Sequence, residues 1–179
     1  MQSGIPVYTA FETQTALEAI AGERTTAISP NKSCQIGSFT VVPFNVPHDT
    51  EIECYGYLIK HEEMGKLLFL TDLEYCKYNF SGLQVEHVMC ECNYSMEFVD
   101  RDEPNYEHRL RGHMSLDTAL KFIFTNDNPA LRNVVLIHLS DKSGNPTLFK
   151  QKVVETLKYD TEVYVAENGL EVDFNLCPF

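Results

Sequence analysis

The sequence has no tryptophan, no Cys-x-x-Cys pair and no His-x-His in its 179 residues. The six cysteines (Cys34, Cys54, Cys76, Cys90, Cys92 and Cys177) are scattered, so a thiolate zinc cluster of ordinary spacing is excluded. The longest uncharged apolar run, Asn133 to Ser140, falls far short of the ~20 residues a membrane span needs. The opening Met-Gln-Ser-Gly-Ile-Pro has neither the basic nor the apolar stretch of a secretory signal. The expectation is a cytoplasmic protein with reduced, buried thiols. Positive charge is also scarce: 14 Lys and Arg stand against 26 Asp and Glu, for a net charge of −12 and a pI near 4.8. Long nucleic acids are bound largely through cations that neutralise phosphates, so this balance argues against such a partner.

What is present suits a folded domain. Hydrophobic residues make up 44% and charged residues 22%, and the length supports one core, read as a single domain over 1–179. Pro6–Thr9 reads as a short strand and Ala10–Ala21 as a helix carrying Phe11, Leu17 and Ile20 near one face, ended by Gly22. Asn31–Gly37 is rich in turn residues. Strands are predicted at Phe39–Phe44, Tyr55–Lys60, Lys66–Thr71, Val85–Cys92, Val134–Leu139 and Glu162–Ala166, with a last short one at Leu170–Asp173. On the strand that holds them, Cys90 and Cys92 point to the same face. A helical turn is predicted at Asn93–Asp100 and an irregular charged loop at Arg101–Arg111. Ser115 caps a helix whose stripe is Leu116, Ala119, Leu120 and Ile123, and another helix covers Pro146–Lys158. Consecutive strands first and alternating strands and helices later predict an α/β sandwich with helices outside two sheets.

Five ionisable residues follow strands or precede helices. They are His48 in Val-Pro-His-Asp, Asp72 ending Leu-Phe-Leu-Thr-Asp, Glu91 in Cys-Glu-Cys-Asn, His113 in Arg-Gly-His-Met-Ser and His138 in Leu-Ile-His-Leu-Ser. Strand ends in α/β folds open into the crevices that hold sites. Each residue has a plainer reading when taken singly, as a hydrogen-bonded histidine or a turn aspartate. Glu91 is the exception, because a carboxylate inside an apolar strand is costly without a partner. Two imidazoles and a carboxylate at separate strand ends suit Zn²⁺, Mn²⁺ or Fe²⁺. His61 and His108 read as solvent-exposed and His87 as structural.

From about residue 4 to residue 145, the succession of His48, Gly56-Tyr-Leu-Ile, Gly65 to Asp72, Glu91-Cys-Asn-Tyr, Gly112-His113-Met-Ser and Leu-Ile-His138-Leu-Ser resembles the metallo-β-lactamase superfamily. Its Glu-x-Asn and Gly-His-x-Ser motifs resemble the phosphodiesterase branch. The resemblance implies His48 as a ligand of a first metal, His138 of a second, and Asp72 bridging them. Glu91 and His113 would lie beside the phosphate and protonate the leaving group, with Asp72, Glu91 and His113 as the catalytic set. The family's opening His-x-His-x-Asp-His should precede the segment resembling Gly4 to Tyr8, and it is not in this sequence. The fold expected is therefore an N-terminally truncated αββα domain that pairs as a homodimer or with a complementing chain. The cofactor expected is Zn²⁺ or Mn²⁺, one ion or none, and the ligand a small phosphate-containing molecule. Three functional readings stand together: a metal-dependent phosphodiester hydrolase, a degenerate binding module that keeps the pocket, and a piece of a longer hydrolase.

Overall fold

A computed structural model describes residues 4–21, 24–48 and 53–177. The position of Gly22, read above as a helix stop, lies outside these. The described elements are, in order, β1 (Val7–Thr9), α1 (Phe11–Ala21), β2 (Thr25–Ala27), β3 (Cys34–Ile36), β4 (Phe39–Val46), β5 (Cys54–His61), β6 (Gly65–Leu70), β7 (His87–Glu91), α2 (Tyr106–Gly112), α3 (Leu116–Asn126), β8 (Asn133–Ile137), α4 (Pro146–Thr156) and β9 (Glu162–Val165). Strands β3 to β9 form one sheet in sequential order, antiparallel from β3 to β6 and parallel from β6 to β9. The second sheet of the expected sandwich is represented among the described residues by the parallel pair β1–β2.

The apolar runs explain the sheet's burial. Leu68 and Leu70 of β6, Val88 and Cys90 of β7, and Val134 and Leu136 of β8 all project to one face. There they meet Ala119, Phe122 and Ile123 of α3 and Phe149 and Val153 of α4 in the main core. Cys92 joins the same core, as its spacing from Cys90 predicts. Residues on the opposite face are covered differently. Tyr55 packs with Ala10 and Ile28 in a smaller cluster, and His87 stacks on Phe174 of the C-terminal segment at 4.5 Å. His87 is structural, as read: it is fully buried, its Nε2 donates to the Met64 carbonyl at 3.0 Å, and Asn133 donates to its Nδ1 at 3.0 Å.

Several local expectations are corrected. The charged stretch read as a loop contains α2, started at Asn105 and braced by a Glu107–Arg111 pair one turn apart at 3.2 Å. Asn93–Asp100 forms turns rather than a helix, because Tyr94 bridges to Ser115 instead. The turn-rich Asn31–Gly37 includes β3, which closes a hairpin on β4 with Gly37 at φ +60°. Leu170–Asp173 adds no strand, since Leu170, Val172 and Phe174 turn onto Met89 and Val135 and line a cavity there. His61 is not exposed: its side chain keeps 14% of its surface and its ring lies 4.6 Å from that of Phe39. Ser115 caps α3 as predicted, its Oγ accepting from the Thr118 amide at 3.2 Å. Among the described residues no helix is long and apolar enough to cross a membrane.

Candidate metal centre

Strand direction decides what can meet. Strands β6, β7 and β8 are parallel, and β4 runs the same way because both β4 and β6 are antiparallel to β5. Their carboxyl ends therefore share one edge, and Asp72, Glu91, His138 and His48 follow or close those four strands. His113 reaches the same edge from the junction of α2 and α3. The Met114 carbonyl accepts from the Asn93 amide at 2.9 Å and the Tyr94 carbonyl from the Leu116 amide at 2.7 Å, which staples this junction beyond the end of β7.

All five residues predicted from the sequence come together, in two degrees of closeness. Asp72, His113 and His138 place donor atoms within 4.8 Å of one another. His48 is outside that trio, with its ring centre 5.7 Å from that of His113. Glu91 is the hub behind the trio. Fully buried, it lies 2.7 Å through Oε1 from His113 Nδ1 and 3.4 Å from His138 Nδ1, while Oε2 accepts from the Leu73 amide at 3.1 Å. These partners answer the discomfort of a carboxylate in an apolar strand. The Glu91 hydrogen bond raises the His113 pKa above its ordinary value, and partial burial opposes the shift.

The backbone is unusual where it matters. Asp72 and His138 both adopt left-handed conformations, φ +52° and +58°, which side chains other than glycine seldom hold. Such strain persists where surrounding contacts over-determine it, and it clusters at functional sites. At His138 the contacts come from Asn93: its Nδ2 donates to the His138 carbonyl at 2.8 Å and its own carbonyl accepts from the Ser140 amide at 2.8 Å. Thr71 donates to Asp72 Oδ2 at 3.3 Å. The Asp72 and His138 side chains stay 51% and 40% exposed.

The cavity beside the trio has a volume of about 320 Å³ and is lined by Asn93, His108, Arg109, His113, His138 and Asp141, among others. Sequence reasoning missed His108 and Arg109 because their helix was read as a loop. Recognising α2 would have placed His108 one turn before Gly112, at the site. Arg109 is fixed by Nη1 donating to Ser143 Oγ and Nη2 to Glu103 Oε2, both at 2.8 Å. Lys142 donates to the other oxygen of Glu103 at 2.8 Å, so that carboxylate is shared by two cations. His108 is exposed as predicted, yet its ring lies 5.9 Å from His48 and 5.7 Å from His113. Four of the protein's six histidines thus gather at one sheet edge.

No protein-family model matches this chain. No curated protein matches it either. Solved structures do. The metallo-β-lactamase fold protein YhfI from Bacillus subtilis superposes with a TM-score of 0.67 at 19% identity, over 92% of this chain and 63% of that one. Igni18, a metallo hydrolase from the archaeon Ignicoccus hospitalis, gives 0.64 at 14% identity, over 90% and 67%. Unliganded yeast PDE1 gives 0.54 at 17% identity, over 86% and 52%. The chain thus spans about two-thirds of the length of the first two and half of the third. By element order, sheet topology and these superpositions, this chain is a metallo-β-lactamase-fold protein.

Proposed function

We propose that this chain is a metal-dependent hydrolase acting on small phosphodiesters, with Asp72 and His138 holding a Zn²⁺ or Mn²⁺ ion. The observation that carries the reading is the pair itself. Two potential ligands follow the parallel strands β6 and β8 in left-handed conformations, backed by a fully buried glutamate at the end of β7 between them. The donor group fits such an ion. Oxygen and imidazole nitrogens within 4.8 Å need only small side-chain shifts to reach about 2.0–2.2 Å from one centre. When bound, the ion supplies a Lewis acid and a water of lowered pKa.

The remaining steps belong to side chains. With Nδ1 fixed by Glu91, His113 presents Nε2 to the cavity, where it gives a proton to the leaving oxygen. The same nitrogen can ligate instead. The raised pKa favours the proton-carrying role, because an imidazolium has no lone pair to offer. Among the described residues Arg109 is the one Lys or Arg that lines the cavity, and its guanidinium suits a non-bridging phosphate oxygen. With a net charge of −12, the protein favours a small diester over a polymer. The likeness to a metallo hydrolase and to yeast PDE1 supports the same assignment.

We also propose that the chain works paired, as a homodimer or with a complementing chain. Phe11 and Ile20 of α1 support this, being 70% and 74% exposed. Monomer mass by light scattering at micromolar concentration would remove the pairing. The substrate class is tested by comparing bis-p-nitrophenyl phosphate with p-nitrophenyl acetate after manganese loading. Cleavage of the diester alone is expected; cleavage of the ester alone would leave a hydrolase of another class. Ion binding with turnover of neither would make the chain a binding module.

A further inference from the structure

We infer that Glu103 determines specificity: by offsetting the charge of Arg109 it disfavours doubly charged phosphomonoesters against singly charged phosphodiesters. The inference rests on the reading of Arg109 as the phosphate-binding cation and adds the residue behind it. Three observations converge. Glu103 Oε2 accepts from Arg109 Nη2 at 2.8 Å, while the buried Ser143 Oγ accepts from Nη1 at 2.8 Å. The Arg109 and Glu103 side chains keep 13% and 17% of their surface, so solvent screens their attraction weakly and the carboxylate cancels much of the guanidinium's field. The other Glu103 oxygen is taken by Lys142 at 2.8 Å. That side chain is 76% exposed, so water screens its charge and it restores little to the cavity.

The cavity wall therefore gives a ligand direction more than charge. The guanidinium has donors left after both bonds, and those bonds fix its plane, so it still offers a directed N–H to a non-bridging phosphate oxygen. Glu103 stands behind it, and Asp141 adds a second carboxylate to the wall. A phosphodiester carries one negative charge and meets this wall with little repulsion. A phosphomonoester gains another above its second pKa of about 6, and like-charge repulsion is how sites reject the wrong partner.

The test is calorimetry at pH 8 with phenyl phosphate and diphenyl phosphate, on metal-stripped and on zinc-loaded full chain. Coulomb energy is linear in ligand charge, so the dianion's fold-gain should be about the square of the monoanion's. Glu103→Gln is expected to tighten phenyl phosphate about tenfold and diphenyl phosphate about threefold. Lys142→Gln, a change at an exposed side chain, should act in the opposite sense and weaken phenyl phosphate more. Equal changes for the two probes, or none, would overturn the inference. Weaker binding of both in Glu103→Gln would make the residue a mere support for Arg109 and overturn it too. So would failure of either probe to bind any form at millimolar concentration. If melting shows Glu103→Gln unfolded, Lys142→Gln decides alone, and an unchanged ratio of affinities counts against the inference. The expected shift without turnover of bis-p-nitrophenyl phosphate would support charge selection and remove the hydrolase reading.

Discussion

Glu91→Gln isolates the centre of the site because it keeps the shape and removes one acceptor. The carboxylate serves the His113 Nδ1–H at 2.7 Å through one oxygen and the Leu73 amide at 3.1 Å through the other. A glutamine side chain has a single oxygen, so one of these two groups must face an NH₂ instead. If the amide oxygen stays on Leu73, the NH₂ donates to His113 Nδ1 and pushes the ring proton to Nε2, blocking that nitrogen as an acceptor or ligand. If the oxygen turns to His113, the buried Leu73 amide loses its partner. Leaving a buried donor unsatisfied costs about 1–3 kcal/mol. At an m-value of about 2 kcal/mol/M this moves the urea midpoint down by about 0.5–1.5 M. Metal affinity should fall by about 10–100-fold, because Glu91 Oε1 also stands 3.4 Å from Nδ1 of the ligand His138. Equilibrium urea unfolding of metal-stripped protein and zinc calorimetry measure the two. If the effect passes through His113, a double variant with His113→Ala will be non-additive. A midpoint within error of wild type, with unchanged zinc affinity, would refute the hub role.

Other expectations follow from single contacts. Asn93→Ala removes the bond that holds His138 in its left-handed conformation, so stability should drop by about 1–3 kcal/mol and metal affinity with it, read by urea unfolding and calorimetry. Gly112→Ala gains about 0.5–1 kcal/mol of helix preference but pushes His48 off its carbonyl, so the two effects should nearly cancel and the urea midpoint should barely change. His87 sets an acid limit. Burial lowers its pKa, so below the unfolded value of about 6.5 the unfolded chain takes up the proton first. This contribution to stability is complete above that pH and falls on acidification, by at most about 1.4 kcal/mol per pH unit. Urea midpoints between pH 7 and pH 5 should show the fall, and His87→Gln should flatten that share of it. Arg109→Lys should raise KM for a phosphodiester more than it lowers kcat, because a point charge replaces a forked donor.

The strand ends were legible because apolar runs terminate abruptly in ionisable residues. Leu67 to Leu70 before Asp72 and Val134 to Ile137 before His138 read as strands without ambiguity, and parallel pairing then brought their ends together. Glu91 was legible as an anomaly, a charge in a buried strand, although its partners lie 18, 22 and 47 positions away and could not be read locally. α2 was not legible, because seven residues with charges on several sides give no apolar stripe. Losing that helix hid His108 and Arg109. The C-terminal segment misled for the opposite reason. Its alternating apolar residues look like a strand but lie across the sheet's second face, where Phe174 covers His87.

The central claim is that Asp72 and His138 hold an ion that hydrolysis requires. Manganese-loaded protein should cleave bis-p-nitrophenyl phosphate, lose the activity on chelation and regain it on reloading. Elemental analysis of His138→Ala and Asp72→Asn should show the loss of bound metal together with turnover. Metal near zero in the wild type, or cleavage that persists unchanged in His138→Ala, would contradict it.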